Sequence, residues 1–325
     1  MRNVLRAVWA ALCAVALAAA SAGAGQPDMT IKIAGFPGGG TGFLITVAEK
    51  EGFFQKHGLR DVRPTYPEKD VEAFAYGAIN AAFLGTLEVA NLRNRNLDGT
   101  VIGPGVVAFN TIWAKKEKPY SSLADLKGKK FGQFGWDSGT TTSLLALGKS
   151  VLNFNVRDDL QHVVVAPPAT KAILDRGDVE AAVAPLGIDI TMRQLGYKRV
   201  WGPLSKEWQS RTGYPLYLAA LAVRKEILDR PEVAKALVAA IVDAITYINT
   251  KPQEVMAKYQ GYFKFDDAKR DMFVTYVQEG NMFDARWDEK VIDAQWEFVT
   301  TAASIKAYLE KEPPGGEEAL FRILR

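Results

Sequence analysis

Three short stretches concentrate the residues that could hold a small ligand. Pro37-Gly38-Gly39-Gly40-Thr41-Gly42, Gly85-Thr86 and Asp137-Ser138-Gly139-Thr140-Thr141 each follow a strand-like run and precede a helix-like one. In an open α/β sheet such junctions lie beyond the carboxyl ends of the strands, where helix N-termini point free N–H groups outward. Glycine lets the backbone approach a ligand closely, and Ser or Thr adds a hydroxyl. Three of them converging on one cleft could bind an anion or a carbonyl-rich solute without any Lys or Arg. Taken singly, each also reads as an ordinary helix cap. Their recurrence in both halves of the chain is what favours a site. Phe36, Phe43, Phe109 (with Asn110 beside it), Trp113, Trp136 and Tyr214 lie near loops as well, and aromatic walls suit a solute with an apolar or planar part.

Residues for catalysis are scarce. The chain has two histidines and one cysteine. His57 reads as a helix end, where a cation complements the helix dipole, and His162 opens a strand. Neither has metal-ligand spacing to a partner, so no metal and no cofactor is expected. No G-x-S-x-G elbow and no G-x-x-x-x-G-K-[ST] loop occurs, so no catalytic residue is assigned.

The elements that must position these junctions follow from the hydrophobic patterning. Arg2 and Arg6 precede an apolar run, Ala7 to Ala20, and two small-x-small sites end at Ala22 and Ala24. That run is short for a bilayer span of about 20 residues and reads as a cleaved export signal over 1–24, which makes the mature chain an exported one. Cleavage would remove Cys13 and take the formal charge from +3 to +1. A near-neutral balance argues against nucleic acid as partner. After the signal, Thr30 to Gly35 alternates as a strand does, and Phe43, Leu44, Val47 and Ala48 recur at helical spacing. Further strands are predicted at Ala81 to Leu84, Thr100 to Ile102, Thr111 to Ala114, Lys130 to Phe134, His162 to Val165 and Ala181 to Ala184. Helices alternate with them, and Val233, Leu237, Ile241 and Ile245 mark a long later one. The pattern predicts two α/β lobes joined by two crossovers, with a C-terminal helical segment packed on the first lobe. The boundaries read as 25–117 for the first lobe, 118–216 for the second, and 217–325 for the return and its helices.

Four segments carry a family resemblance. Ala48-Glu49-Lys50-Glu51-Gly52-Phe53-Phe54-Gln55-Lys56-His57-Gly58-Leu59 resembles the A-x-x-x-G-F-F-x-x-x-G-L signature of periplasmic receptors for nitrate, taurine and aliphatic sulfonates. That family is itself similar to thiamine-pyrimidine synthases. Gly77 to Phe83 resembles its G-x-x-D-A-A segment, with Asn80 in place of Asp. Asp125-Leu126-Lys127-Gly128-Lys129-Lys130 resembles the entry to its second lobe, and Gly177 to Ala182 a second G-x-x-D-A, with Glu180 for Asp.

The resemblance implies a type II periplasmic-binding-protein fold, a monomer that closes on a small solute and docks on the permease and ATPase of an ABC importer. It also implies a pocket drawn from Gly39 to Gly42, Gly85 and Thr86, and Ser138 to Thr141, with Pro185 and Leu186 as a wall. Leu186 offers neither the acid nor the aromatic ring that some members place there, which tells against a taurine-like zwitterion. A sulfonate, a carboxylate or a neutral heterocycle all remain open, an organic anion with an apolar tail first among them. An enzyme on the same scaffold, or a solute-sensing subunit, are the alternatives. The missing mature cysteine and the export signal weigh against the enzyme.

Overall fold

The computed structural model describes residues 29–136 and 138–324. The expected export signal and Asp137 lie outside the described residues.

The first sheet is built from β1 (Ile31–Ala34), β2 (Val62–Thr65), β3 (Ala81–Leu84) and β4 (Thr100–Val107), completed much later in the chain. The second contains β5 (Ile112–Ala114), β6 (Lys130–Gln133), β7 (Gln161–Val164), β8 (Ala181–Val183) and β9 (Lys198–Trp201). The chain then returns with β10 (Tyr217–Val223) and β11 (Phe283–Asp284). The strand orders are β11-β4-β10-β3-β1-β2 and β7-β6-β8-β5-β9. Strands β3 and β8 are buried along their whole length, and their unbroken apolar runs suit the middle of a sheet covered on both faces. Strand β2, with Pro64 and an exposed Arg63, sits at an edge, where a residue lacking an N–H is tolerated.

The helices that matter for the site are α1 (Gly40–Lys50), α2 (Asp70–Ala75), α3 (Thr86–Asn94), α4 (Gly139–Leu152), α5 (Leu186–Gln194) and α6 (Leu204–Thr212). Those that follow the return are α7 (Pro231–Thr250), α8 (Asp267–Gln278) and α9 (Glu289–Ser304). Helix α7 starts on a proline, which is pre-shaped for a first turn, and lays Leu237, Ile241 and Ile245 fully buried over β4 and α1. Burying each of those side chains contributes about 1.5–3 kcal/mol. The helix is long and apolar enough to cross a membrane, but its stripe is consumed by the core of the first sheet.

Two differences from the sequence reading follow. Strand β5 pairs with β8 and β9, so the chain leaves the first sheet between residues 108 and 111, and not near 117. The reading took the run 111–114 with the first lobe because nothing local tells which sheet a short apolar strand joins. The C-terminal helices also reach beyond the first lobe. Helix α9 packs on both α3 and α4, and α8 packs on α5. The stripe of α9, including Val291, Phe298, Val299 and Ala302, is broad enough to cover both neighbours.

The two crossovers are tied together by backbone hydrogen bonds. Leu204 N donates to Asn110 O at 2.9 Å, Ser205 N to Ala108 O at 2.7 Å, and Ala108 N to Leu216 O at 2.8 Å. Leu216 N in turn donates to Ser205 Oγ at 3.2 Å.

Candidate functional site

Strands β1 and β3 are parallel neighbours, so the helices that follow them, α1 and α3, begin at the same edge of the first sheet. Strands β6 and β8 are likewise parallel neighbours, so α4 and α5 begin at one edge of the second. The two edges meet at a seam. A narrow cavity there is lined by Gly85, Thr86 and Glu88 from α3 and its cap, and by Gly139, Thr142 and Ser143 from α4. Tyr217 and Leu218 of β10, Phe298 of α9 and Tyr308 also line it. Its free room is about 10 Å³, enough for one water-sized group.

The predicted junction residues fall in three settings. Gly85, Thr86 and Gly139 line the seam directly. Thr86 is 1% exposed, and its Oγ1 has no hydrogen-bond partner among the described residues. Thr140 and Thr141 are buried just inside α4. Thr140 Oγ1 donates to Asn110 Oδ1 at 3.3 Å, and Thr141 Oγ1 to Gln133 Oε1 at 2.9 Å. Ser138 precedes α4 without a side-chain cap bond. Asn110, in the first crossover, also donates from Nδ2 to Ala184 O at 3.1 Å. That side chain therefore fastens the crossover to the end of β8 and the start of α4.

The glycine-rich loop is packed as much as presented. Phe36 N donates to Thr41 Oγ1 at 2.8 Å, and Gly38 N to Tyr262 Oη at 3.3 Å. Gly39 precedes α1, and Gly40 and Gly42 are buried. A Cβ at Gly40 would stand 2.6 Å from Met282, and one at Gly42 would stand 2.4 Å from Tyr262 Oη. These glycines are therefore required by the fold.

The aromatic candidates divide. Phe43 is fully buried among Tyr259, Tyr262, Phe263, Phe273 and Phe283. Trp113 donates its Nε1–H to Asp189 at 2.7 Å within the core. Phe109 and Leu186 are buried in the core of the first sheet, with Pro185 capping α5. Tyr214 packs at the border of the other large core. Phe36 and Trp136 remain open to solvent, at 68% and 42%. Trp136 leans on the His162 ring, centroids 4.6 Å apart, with Arg157 5.3 Å from its face.

Two carboxyls had no signal in the sequence reading. Gly85 N donates to Glu88 Oε2 at 2.8 Å, a helix-capping arrangement. Burial pushes the Glu88 carboxyl up to about 7; the Gly85 N–H opposes the rise and the nearby charge of Asp70, at the start of α2, adds to it. The second is Asp189 of α5, wholly buried, which accepts from Trp113 Nε1 and from the Tyr276 hydroxyl of α8. Burial pushes its carboxyl up to about 7 against those bonds. A glutamate three residues after a glycine reads as a cap, and an aspartate in the first turn of a helix reads as surface, so neither stands out.

A family model described as NMT1/THI5 like matches residues 43–255 of this architecture. The chain belongs to the NMT1/THI5-like family. The resemblance read from the G-F-F and D-L-K-G-K-K segments therefore holds for family, and the structural neighbours extend it to fold. This NMT1/THI5-like chain is 25% identical over 241 residues to a protein of Brucella abortus (strain 2308) provisionally named a binding protein, covering 69% of each. Among solved structures it is similar to the alkanesulfonate-binding protein SsuA from Xanthomonas axonopodis pv. citri bound to MOPS. That TM-score is 0.71 at 14% identity, covering 92% of this chain and 100% of that one. The aliphatic sulphonate binding protein SsuA from Escherichia coli gives 0.68 at 14% identity, covering 89% and 90%. The desulfurization enzyme DSZB shares the fold too, at 0.60 and 15% identity over 88% and 95%. The NMT1/THI5-like chain thus has the two-lobed α/β fold of periplasmic solute-binding proteins, a fold that also carries an enzyme.

Proposed function

We propose that this chain is the exported solute-binding component of an ABC importer, which captures a small organic solute between its lobes and delivers it to a membrane permease. The observation that carries the reading is the seam, where the starts of α3 and α4, from opposite sheets, face each other across a small cavity. Two crossovers bonded to one another form the natural pivot, and closure around a solute is the motion such a hinge permits. The proposed site comprises Gly85, Thr86, Asn110 and Ser138 to Thr141, with the α1 loop at Gly39 to Gly42 and Pro185 completing the rim. We assign Phe109, Trp136 and Tyr214 to it as candidate aromatic neighbours of the solute.

The sulfonate-binding neighbours and the Brucella binding protein support a receptor over an enzyme. DSZB keeps the enzyme reading as the alternative, but the one cysteine of this chain is Cys13, in the apolar N-terminal run. The described residues therefore supply no thiol nucleophile.

A thermal-shift screen of the mature protein against alkanesulfonates, carboxylates, amines and pyrimidines tests the reading. A ligand at a hundredfold over its Kd adds about 2.7 kcal/mol of stability, a clear rise in melting temperature. Turnover of any of these compounds would favour the enzyme.

Gly139→Val is the matching variant. Among the described residues a Cβ at Gly139 meets only Glu88 Oε1, at 3.9 Å, so the variant is expected to fold with its added bulk at the cavity. Solute affinity falls at least tenfold by calorimetry with the melting temperature of the unliganded protein little changed. Wild-type affinity in this variant would remove the start of α4 from the site.

A further inference from the structure

We infer that the solute carries a cationic nitrogen, a protonated amine, which the seam receives between Glu88 and Thr86. This rests on the receptor reading and assigns the chemical class of its ligand.

The start of α3 is the place where an anion would be expected, because its free N–H groups carry the positive end of the helix dipole. Here that position is already taken. The Gly85 N–H donates to Glu88 Oε2 at 2.8 Å, so an incoming sulfonate or carboxylate would meet a carboxylate of the chain itself. Glu88 Oε1 faces the other lobe, 3.9 Å from where a Cβ on Gly139 would stand. No lysine or arginine among the described residues lines the cavity, and the charge that acts on Glu88 is a second acid, Asp70. A negative group without a counter-charge, enclosed at the junction of two lobes, is an unfavourable arrangement unless a cation supplies what water cannot.

Thr86 gives the independent observation. Its hydroxyl is almost fully buried, lines the same cavity, and has no partner among the described residues. Buried hydroxyls are ordinarily hydrogen-bonded, so Thr86 Oγ1 and the Glu88 carboxyl, lining one cavity, offer two acceptors to a group placed there. The free room of about 10 Å³ matches one water-sized group, which is the size of an ammonium head. The remainder of such a solute would extend outward between the parted edges.

Protonation of Glu88 would compete with the cation. Its carboxyl is raised to about 7 by burial. The ionisable groups around it are Asp70 of α2, Tyr217 of β10 and Tyr308; α4 contributes only Gly139, Thr142 and Ser143 to the cavity. Tyr217 is held well above its ordinary value by burial. Affinity for a cation therefore rises as pH increases towards 7 and levels off above it.

Isothermal titration of the mature protein at pH 8 with n-butylammonium, putrescine and agmatine, beside butanesulfonate and pentanoate, tests the assignment. The expected result is binding of at least one cation and of neither anion. Glu88→Gln, which still accepts from Gly85 N but carries no charge, then loses at least tenfold in cation affinity and keeps its fold. Should that variant fail to fold, the wild-type profile serves instead, with cation affinity falling about tenfold per pH unit below 7. Binding of butanesulfonate with silence from the cations overturns the cation assignment and leaves the receptor reading standing. Silence from every probe counts against both. Cation binding that is indifferent to Glu88→Gln, or to pH between 5 and 8, overturns the role of Glu88.

Discussion

Asp189→Ala loses on the order of 3 kcal/mol of stability at pH 5, and the loss shrinks as the pH is raised to 8. At low pH the wild-type carboxyl is protonated and neutral, and it accepts from Trp113 Nε1 and the Tyr276 hydroxyl in a fully buried position. Alanine leaves both donors buried without a partner, at about 1–3 kcal/mol each, partly relieved by relaxation. The dependence on pH follows from the raised carboxyl. Between 3.8 and about 7 the unfolded chain has lost a proton that the folded protein still holds. Stability therefore falls by about 1.4 kcal/mol per pH unit across that window, and the penalty is complete above 7. The alanine variant carries no such penalty, so the two proteins converge. Asp189→Asn separates the effects, since its amide oxygen can accept from Trp113 and its NH₂ can donate to Tyr276. It should match wild type near pH 5 and exceed it at pH 8 in chemical denaturation. Parallel pH profiles for wild type and Asp189→Asn would show that the buried carboxyl does not titrate as described.

Gly42→Val should be the most damaging change in the glycine-rich loop. A Cβ there would stand 2.4 Å from Tyr262 Oη and 2.5 Å from Phe36 O. The tyrosine can swing away, but the carbonyl is backbone, fixed by the turn in which Gly39 N donates to Phe36 O and Phe36 N to Thr41 Oγ1. Overpacking of this kind costs about 1–3 kcal/mol, and displacing Tyr262 also breaks its bond from Gly38 N. We expect a loss near the upper end of that range. Gly38→Ala provides the contrast: nothing lies within 4 Å of its Cβ, but its φ of +71° disfavours a side chain, so a smaller loss of about 1 kcal/mol is expected. Equal melting temperatures for wild type and Gly42→Val would refute the packing role.

The strand–glycine–helix grammar was legible because it is local. Apolar runs such as Ala81 to Leu84 and Ala181 to Ala184 have no other reading between turn residues, and both are central strands. Two of the edge strands were not legible. Val62-Arg63-Pro64-Thr65 and Lys198-Arg199-Val200-Trp201 are half exposed, so their composition resembles that of loops. The site was legible in part for the same reason. Glycine and threonine at three junctions could be seen, whereas Glu88 could not be told from a cap until α4 was brought against it. Aromatic residues misled where position was the only guide: Phe43 and Trp113 belong to the core. What a residue meets across 50 or 100 positions of sequence is set by tertiary packing, which leaves no trace in its neighbours.

Strand β10 lies between β3 and β4 and pairs antiparallel with both. Its consequence concerns the order in which the molecule can be made. A chain emerging from the ribosome presents β1 to β4 first, but their sheet has an empty slot until residues 217–223 arrive. All five strands of the other sheet are complete by Trp201. The half that begins synthesis therefore finishes second, because closing distant contacts is slow and must await the missing strand. Early-made apolar strands remain unsealed for more than a hundred residues of elongation. A chain truncated at residue 210 and released from the ribosome should be protected from protease across 112–201 and cut freely across 31–107.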